Sequence, residues 1–326
     1  MTIAGENTAR TAVLNFPACF PDSIVGFVPD PDKADLRYIK HALDILKDSF
    51  RSISKGATQD NLSLSKILSF DIPVPPVPYQ QRISEILSAY DDLIENNRRR
   101  IALLEEAARQ LYKEWFVRFR FPGHEHVKII DGVPENWERT PASNVLNVLS
   151  GGTPKTTTAQ FWGGDIGFFT PKDAVQGCYV AATEKMITEE GLARCNSKLY
   201  PKDTLFITAR GTVGKMNLAM VPMAMNQSCY ALKSKCGMSQ RLLYLTMDVS
   251  LQQLRSQASG AVFDAIIVAT FDRIFVTKPE KHIADEFDDT VNPVFDQIAN
   301  LERQIDHLAK ARDLLLPKLM SGAIPV

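Results

Sequence analysis

The sequence predicts an α+β protein in which small mixed α/β domains are joined by two long helices that pair as an antiparallel coiled coil. Three features support this prediction: an internal repeat at a constant shift, a heptad pattern in both copies of the repeat, and short strand-like runs separated by turns between them. The chain has 326 residues, which is enough for two domains of ordinary size.

The internal repeat relates the first third of the chain to its end. The segment 56–60 (GATQD) recurs as residues 260–264 (GAVFD), which is a shift of 204 residues. The same shift, without a gap, pairs Pro75 with Pro279. A register that stays constant along the chain indicates that one structural unit occurs twice.

After each of these prolines, apolar residues are spaced alternately four and three apart for more than four heptads. For one copy alone, a single amphipathic helix lying on a globular core is an equal alternative. Two copies in one register favour pairing of the helices with each other. The predicted seam residues are Ile83, Leu87, Ile94, Ile101, Leu104 and Leu111 in the first helix and Val291, Ile298, Ile305, Leu308 and Leu315 in the second.

Two positions of this seam are polar. Asn97 is a side chain of the kind that fixes register in a coiled coil, and Arg312 can extend its guanidinium out of the seam. If the ends of the intervening domain lie close together, the second helix starts where the first ends, and the two must run antiparallel. The predicted organisation is a first domain at 1–78, a helix at 79–120, a linker at 121–136, a second domain at 137–280 and a second helix at 281–322.

Basic residues are concentrated in part of the second domain. Although the formal net charge of the chain is −1, eight basic residues and one acid, Asp203, lie between Arg194 and Arg241. Nucleic-acid binding requires clustered Lys and Arg for phosphate contacts. This region is therefore a candidate phosphate-facing surface.

The second domain carries a series of short motifs in a fixed order. They are PENW at 134–137, GGTP at 151–154, FWGGDI at 161–166, TPKD at 170–173, TARGTVGK at 208–215 and NQS at 226–228. In this order they resemble the target recognition domain of the specificity subunits of type I restriction-modification enzymes. The ending LPKLMSG at 316–322 is similar to the close of the second repeated helix in that family.

The resemblance implies a division of labour among subunits. In that family each recognition domain reads one half of a split double-stranded DNA target, and the helices carry methyltransferase subunits, with a restriction and translocation subunit joining the complex. S-adenosylmethionine, ATP and Mg²⁺ are then expected only in the partner subunits, and this chain is expected to bind no cofactor of its own. A homodimer is a further expectation. No stretch approaches the roughly 20 apolar residues that span a bilayer, and the N-terminus lacks a basic region followed by an apolar run, so a cytoplasmic protein is expected.

The first domain departs from the family pattern. By the repeat shift, Met1 corresponds to about Leu205, so the counterpart of residues 137–204 is missing, and residues 5–13 resemble the region 210–221. The resemblance therefore implies an N-terminally truncated member. A second hypothesis follows from this departure, that the chain is an assembly piece that does not read DNA and that dimerises or competes with a full-length specificity subunit.

The sequence offers no catalytic motif. The segment Gly211-Thr-Val-Gly214-Lys215 is too short for a phosphate-binding loop, and Met216 stands where Ser or Thr would bind Mg²⁺. There is no GxGxxG fingerprint and no Asn/Asp-Pro-Pro-aromatic tetrapeptide of adenine methyltransferases. His124 and His126 lack partners at ligand spacing, so no metal site is expected.

Eight side chains are candidate DNA contacts because their polar groups suit phosphates or base edges and lie in turn segments. Each has a structural alternative: an ordinary surface lysine, a solvated hairpin turn, or an amide that caps its own backbone. The candidates are Lys155, Thr156, Thr157, Lys172, Arg210, Lys215, Asn226 and Gln227.

Overall fold

A computed structural model of the chain describes residues 1–54, 61–235, 237–257 and 265–326, with side chains up to residue 253 in the third range. The repeated pentapeptides at 56–60 and 260–264 lie outside the described residues, as does Cys236. No helix in the described ranges is long and apolar enough to cross a membrane.

The fold is α+β. The helices are α1 (Leu36–Ile45), α2 (Lys47–Ser54), α3 (Leu64–Leu68), α4 (Val77–Tyr112), α5 (Ala142–Val145), α6 (Glu189–Ala193), α7 (Gln240–Gln257) and α8 (Lys281–Met320). A π-helical turn (Lys113–Val117) follows α4, and short 3-10 turns occupy His124–His126, Ala159–Phe161 and Val268–Thr270.

The two long helices start at equivalent positions of the repeat. Helix α4 begins at Val77 and α8 at Lys281, which differ by the same 204 residues that relate Pro75 to Pro279. Each proline stands two residues before its helix and disfavours helical backbone in the residue that precedes it. The repeat therefore sets where both helices begin.

The chain divides into two compact units, and both divisions fall inside the long helices: Met1–Arg98 with Arg303–Val326 form unit 1, and Arg99–Glu302 forms unit 2. In unit 1, Ile83 and Leu87 of α4 share a core cluster with Leu319 of α8. Asn97 donates a hydrogen bond to the side chain of Gln304 at 3.3 Å. Residues later in α4 thus contact residues earlier in α8, so the two helices run antiparallel.

The same antiparallel pairing occurs in unit 2. Phe287 of α8 is fully buried against the rings of Tyr112, Trp115 and Phe116, with centroid distances of 6.3, 5.4 and 4.9 Å. All predicted seam residues are buried or half-buried in the structure. Arg312 does not extend into solvent but donates to the carboxylate of Asp91 at 2.6 Å within unit 1.

The strands belong to unit 2. They are β1 (Ile129–Ile130), β2 (Val133–Pro134), β3 (Glu138–Pro141), β4 (Leu146–Ser150), β5 (Trp162–Phe169), β6 (Tyr179–Val180), β7 (Met186–Ile187), β8 (Leu205–Thr208), β9 (Met216–Ala219), β10 (Met223–Met225), β11 (Cys229–Ser234) and β12 (Phe275–Lys278). The largest sheet has the order β4-β11-β8-β9-β6, and a three-stranded sheet has the order β10-β5-β7.

These two sheets pack their apolar faces into one core. Phe169 of β5, Phe206 of β8 and Met225 of β10 are fully buried in it, and the rings of Phe169 and Phe206 stack at 5.0 Å. Because both sheets are fixed by this core, the loops at their ends are held on a rigid base.

The predicted domain limits at 78, 120, 136 and 280 stay predictions.

Candidate nucleic-acid interface

Strand direction brings several loops to one edge of the large sheet. Strand β4 ends at Ser150 beside Tyr230 at the start of β11, and β8 ends at Thr208 beside Cys229. Strand β9 starts next to it, with Met216 paired to Ile207. The loop after β4, the loop between β8 and β9 and the segment before β11 therefore meet at the same edge.

The three-stranded sheet adds its own loop to this edge. Strands β5 and β10 are parallel, with Phe169 opposite Met225, so their carboxyl ends lie side by side. The backbone amide of Asn226 donates to the carbonyl of Phe169 at 2.9 Å. We call the combined surface the loop edge and define it by residues 151–158, 170–175, 209–215 and 226–228.

The glycines of the 151–158 loop allow it to lie directly on residues 225–227. The amide of Gly152 donates to the carbonyl of Met225 at 3.1 Å. A Cβ at position 151 would lie 2.3 Å from the carbonyl oxygen of Asn226, so only glycine fits there. The hydroxyl of Thr153 donates to the side-chain oxygen of Gln227, which joins the two segments.

The 209–215 loop is built around the buried hydroxyl of Thr208. This hydroxyl donates to the carbonyl of Thr212 and accepts from the backbone amide of Lys215 at 2.9 Å. Gly211 and Gly214 both have φ of +78°, a conformation that suits glycine. Arg210, exposed at the start of this tight loop, is therefore presented on a fixed backbone.

Lys172 and Lys215 lie on neighbouring segments of the loop edge. A Cβ at Gly211 would lie 3.7 Å from Pro171, which precedes Lys172. The ammonium of Lys215 donates to the carbonyl of Ala174 at 3.3 Å. Both lysines are exposed, so their charges add to that of Arg210 on the same surface.

The remaining candidates also lie on the loop edge but differ in their contacts. Lys155, Thr156 and Thr157 are exposed, and the carbonyl of Lys155 accepts from the indole N–H of Trp162 at 3.3 Å. The side-chain oxygen of Asn226 accepts from the backbone amide of Ser228 at 3.0 Å. The structural alternative for Asn226, an amide that caps its own backbone, is thus present.

Two further cations of the basic stretch 194–241, which are not among the eight candidate contacts, lie beside the loop edge. A Cβ at Gly152 would lie 2.7 Å from the backbone nitrogen of Asn196, which places the 194–198 segment against the glycine loop. Arg194 and Lys198 in this segment are exposed. The sequence pointed to them only as members of this candidate phosphate-facing surface.

Two titratable residues behind the loop edge, Cys229 and Asp173, are not placed for catalysis. Burial, and then the nearby carboxylate of Asp173, raise the pKa of the Cys229 thiol to about 12. The thiol is therefore protonated at neutral pH and is not a nucleophile. Asp173 itself is occupied by accepting hydrogen bonds from the backbone amides of Thr170 and Glu184 at 2.8 and 2.7 Å.

Unit 1 contains a second copy of the 209–215 loop. The hydroxyl of Thr2 donates to the carbonyl of Asn7 and accepts from the backbone amide of Arg10 at 3.1 Å. These bonds correspond to those of Thr208 with Thr212 and Lys215. A neighbouring backbone hydrogen bond matches as well. The amide of Ile3 donates to the carbonyl of Ser23 at 2.9 Å, as the amide of Ala209 donates to the carbonyl of Ser228 at 2.8 Å.

The two loops share their positive-φ positions, but the loop of unit 1 is one residue longer and the side chains differ. Gly5, in the place of Gly211, has a φ of +80°, and Ala9, in the place of Gly214, has a φ of +65°. Arg10 replaces Lys215, so one cation is kept. Three other candidate contacts of unit 2 are replaced in unit 1: Arg210 by Ala4, Asn226 by Pro21 and Gln227 by Asp22.

Comparison with known proteins gives one family. A family model described as "Type I restriction modification DNA specificity domain" matches residues 1–106 and 134–308. Among curated proteins, the type I restriction enzyme MjaIX specificity subunit of Methanocaldococcus jannaschii is 28% identical over 289 residues, covering 86% of this chain and 67% of the relative.

A second relative and a solved structure agree with this match. The type I restriction enzyme HindI specificity subunit of Haemophilus influenzae is 23% identical, covering 83% of this chain and 72% of the relative. The crystal structure of a type I restriction-modification system S subunit from M. genitalium aligns with a TM-score of 0.55 at 16% identity, covering 89% of this chain and 74% of that one. At this identity the structural likeness concerns the fold.

Proposed function

This chain belongs to the type I restriction-modification DNA specificity family, and from that premise we propose that it is the sequence-reading, non-catalytic subunit of such a complex. In this proposal the loop edge of unit 2 contacts one half of a split double-stranded target. The observation that supports it most is the convergence of the eight candidate side chains, drawn from four separate segments, on one edge of a rigid two-sheet core.

The chemistry of the loop edge suits both levels of DNA recognition. Its exposed cations, Lys155, Lys172, Arg210 and Lys215, are suited to phosphate contacts, which supply affinity that depends on salt. Arg210 can also pair with the O6 and N7 atoms of guanine in two parallel hydrogen bonds. The exposed amide nitrogen of Gln227 can donate to a base edge, while its oxygen accepts from the hydroxyl of Thr153, and Asn226 is engaged with its own backbone.

The long helices supply the assembly role in this proposal. Their paired faces are buried, and their outer faces carry exposed leucines, at Leu93 and Leu103 of α4 and Leu314 of α8. Single exposed apolar side chains do not by themselves mark an interface, so the support for this role comes from the family. We infer that methyltransferase subunits bind here, that a restriction subunit joins through the complex, and that S-adenosylmethionine, ATP and Mg²⁺ are bound by those partners.

Selection from a randomised double-stranded DNA pool tests the proposal. The whole chain is used, alone and with the methyltransferase subunit of its own system, over a series of salt concentrations. Enrichment of a short motif, lost or relaxed at one position in Arg210→Ala, is the expected result. If no motif is enriched in either condition, the alternative of an assembly piece that does not read DNA replaces this proposal.

A further inference from the structure

Helix α7 connects the large sheet of unit 2 to both long helices. At its start, the side-chain nitrogen of Gln240 donates to the carbonyl of Leu232 at 2.9 Å, and the side-chain oxygen accepts from the backbone amide of Ser234 at 2.7 Å. Both partners lie on β11, which begins directly after residues 226–228 of the loop edge. The start of α7 is therefore fixed to a strand that leads from the loop edge.

The contacts of this end of α7 with α8 follow one face of the long helix. The hydroxyl of Ser239 donates to the carboxylate of Asp288 at 2.6 Å. Arg241 donates to the backbone and side-chain oxygens of Asn292, both at 3.1 Å, and to the carboxylate of Asp296 at 2.6 Å. Positions four apart share one face of a helix, so the three partners form a polar row along α8.

A second set of polar contacts joins the same domain to α4. Arg109 of α4 donates to the carboxylate of Asp248 on α7 at 3.0 Å, and Glu105, one turn earlier, accepts from the backbone amide of Cys178 at 2.6 Å. The side chains of Arg109 and Asp248 are 22% and 19% exposed, so water screens this pair less than a surface pair. We call the bonds to the two long helices the α7 contacts, and they are made by Ser239, Arg241 and Asp248.

The repeat keeps one of the α7 contacts with its two partners exchanged. At the shift of 204 residues, Ser239 corresponds to Asp35, and Asp288 corresponds to Ser84. In unit 1 the hydroxyl of Ser84 donates to the carboxylate of Asp35 at 2.5 Å. Asp35 and Ser239 each also accept from a backbone amide three residues later, so both cap the helix that follows them. The bond is kept while the residue types change places, which indicates that both units require the contact itself.

We propose that Ser239, Arg241 and Asp248 are positioning residues, which hold the loop edge at a fixed distance and angle from the long helices in unit 2. This inference rests on the proposed function, in which the loop edge reads DNA and the helices carry methyltransferase subunits. Such a subunit must reach a base at a defined distance from the bases that are read. A domain that tilted on its helices would present DNA in varying positions, and small misplacements slow a reaction strongly.

The distance between two spin labels in the whole chain tests the α7 contacts without DNA. Labels are attached through non-natural amino acids at two exposed positions, Ala159 beside the loop edge and Asn300 on α8, and dipolar spectroscopy measures their distance distribution. Ser239→Asp places two carboxylates opposite each other, and Asp288→Ser removes the one that accepts. Each change alone should broaden the distribution. The double variant has the arrangement of unit 1 and should return to the wild-type width.

The matched control is Asp289→Ser, which removes the same charge from the exposed neighbouring position of α8 and should leave the distribution unchanged. Circular dichroism monitors folding, and Asp248→Asn, which keeps the size of the side chain, replaces a single variant that does not fold. Wild-type distributions in the single variants overturn the proposal. A double variant as broad as the single ones overturns it as well.

Methylation with the methyltransferase subunit present separates positioning from reading. In the single variants we expect wild-type affinity for the motif selected from the DNA pool and a lower methylation rate at saturating DNA, with both values restored in the double variant. Affinity and rate that fall together would indicate damage to the domain and would contradict a positioning role. If wild type selects no motif, the proposed function fails, whereas the label distances still decide whether the α7 contacts fix the domain.

Discussion

The side-chain hydroxyl of Thr208 accepts a hydrogen bond from the backbone amide of Lys215 at 2.9 Å, and the same bond joins Thr2 and Arg10 at 3.1 Å. Thr208 is buried at the end of β8, and Thr2 is half-buried at the equivalent position of unit 1. Each threonine holds a glycine-bearing loop closed and fixes a cation at the end of that loop. The loop thus occurs once in each unit, and its threonine is the residue to test first.

Replacing Thr208 with valine should loosen the 209–215 loop. Valine keeps the shape of threonine but leaves the carbonyl of Thr212 and the amide of Lys215 without this partner, and a lost hydrogen bond of this kind costs about 0.5–1.5 kcal/mol. We expect lower thermal stability and weaker DNA binding, measured by calorimetry and fluorescence anisotropy. Thr208→Ser keeps the hydroxyl and should stay close to wild type. Equal behaviour of both variants would show that the hydroxyl does not hold the loop.

Gly151→Ala should displace the segment that carries Gln227. The new Cβ would lie 2.3 Å from the carbonyl of Asn226, and relieving such an overlap costs about 1–3 kcal/mol. DNA affinity should fall while the helical content seen by circular dichroism stays constant. The neighbouring exposed Ser150→Ala is the control. Unchanged affinity in Gly151→Ala would separate the glycine loop from DNA binding.

Arg10→Ala should weaken DNA binding by a similar factor for every sequence. The loop of unit 1 keeps this cation but has Ala4 and Pro21 where unit 2 has Arg210 and Asn226, so it is equipped for phosphate and not for bases. The slope of log affinity against log salt should decrease by about one. Lys33→Ala, another exposed cation of unit 1, is the control. A changed target motif in Arg10→Ala would contradict this account.

Acid should destabilise unit 1 through His41. Burial lowers the pKa of His41 below its ordinary value of 6.5, with the charge of Lys40 acting in the same direction and Asp91 and Asp44 opposing it. The unfolded chain then binds the proton more readily, so the free energy of unfolding falls as the pH drops through 6.5, by at most about 1.4 kcal/mol per pH unit. Above that range the contribution is fully present.

Denaturant unfolding of wild type and His41→Gln between pH 5 and 8 measures this effect. The difference between their slopes against pH isolates His41 from the other titrating groups. The glutamine variant should show a shallower loss of stability in acid. Identical slopes would mean that His41 takes up its proton in the folded chain as easily as in the unfolded one.

Periodicity and composition were sufficient for the framework of the fold. The spacing of apolar residues predicted two long helices, and the structure has them as α4 and α8. The short strand-like runs predicted between the two helices are strands in the structure, for example β8 at Leu205–Thr208. These features depend on local sequence, where a pattern of period 2 or 3.5 reports directly which face is buried.

Contacts between distant segments could not be predicted in this way. Arg312 pairs with Asp91, 221 residues away, and the seam pattern alone allowed it to point into solvent. Arg194 and Lys198 lie beside the loop edge because Asn196 contacts Gly152, a contact set by the sheet and by no nearby sequence signal. The likeness of the two threonine loops is seen in their hydrogen bonds and could not be predicted, because their sequences share only a threonine, a glycine and a cation.

The affinity of Arg210→Ala for the motif selected from the DNA pool, against a scrambled duplex, tests the central claim most directly. Lys202→Ala is the control, because Lys202 is exposed in the same basic stretch but precedes β8 at the opposite edge of the sheet. We predict that Arg210→Ala loses about 1–3 kcal/mol of binding to the motif and that Lys202→Ala loses little. Equal losses, or none in Arg210→Ala, would contradict recognition by the loop edge.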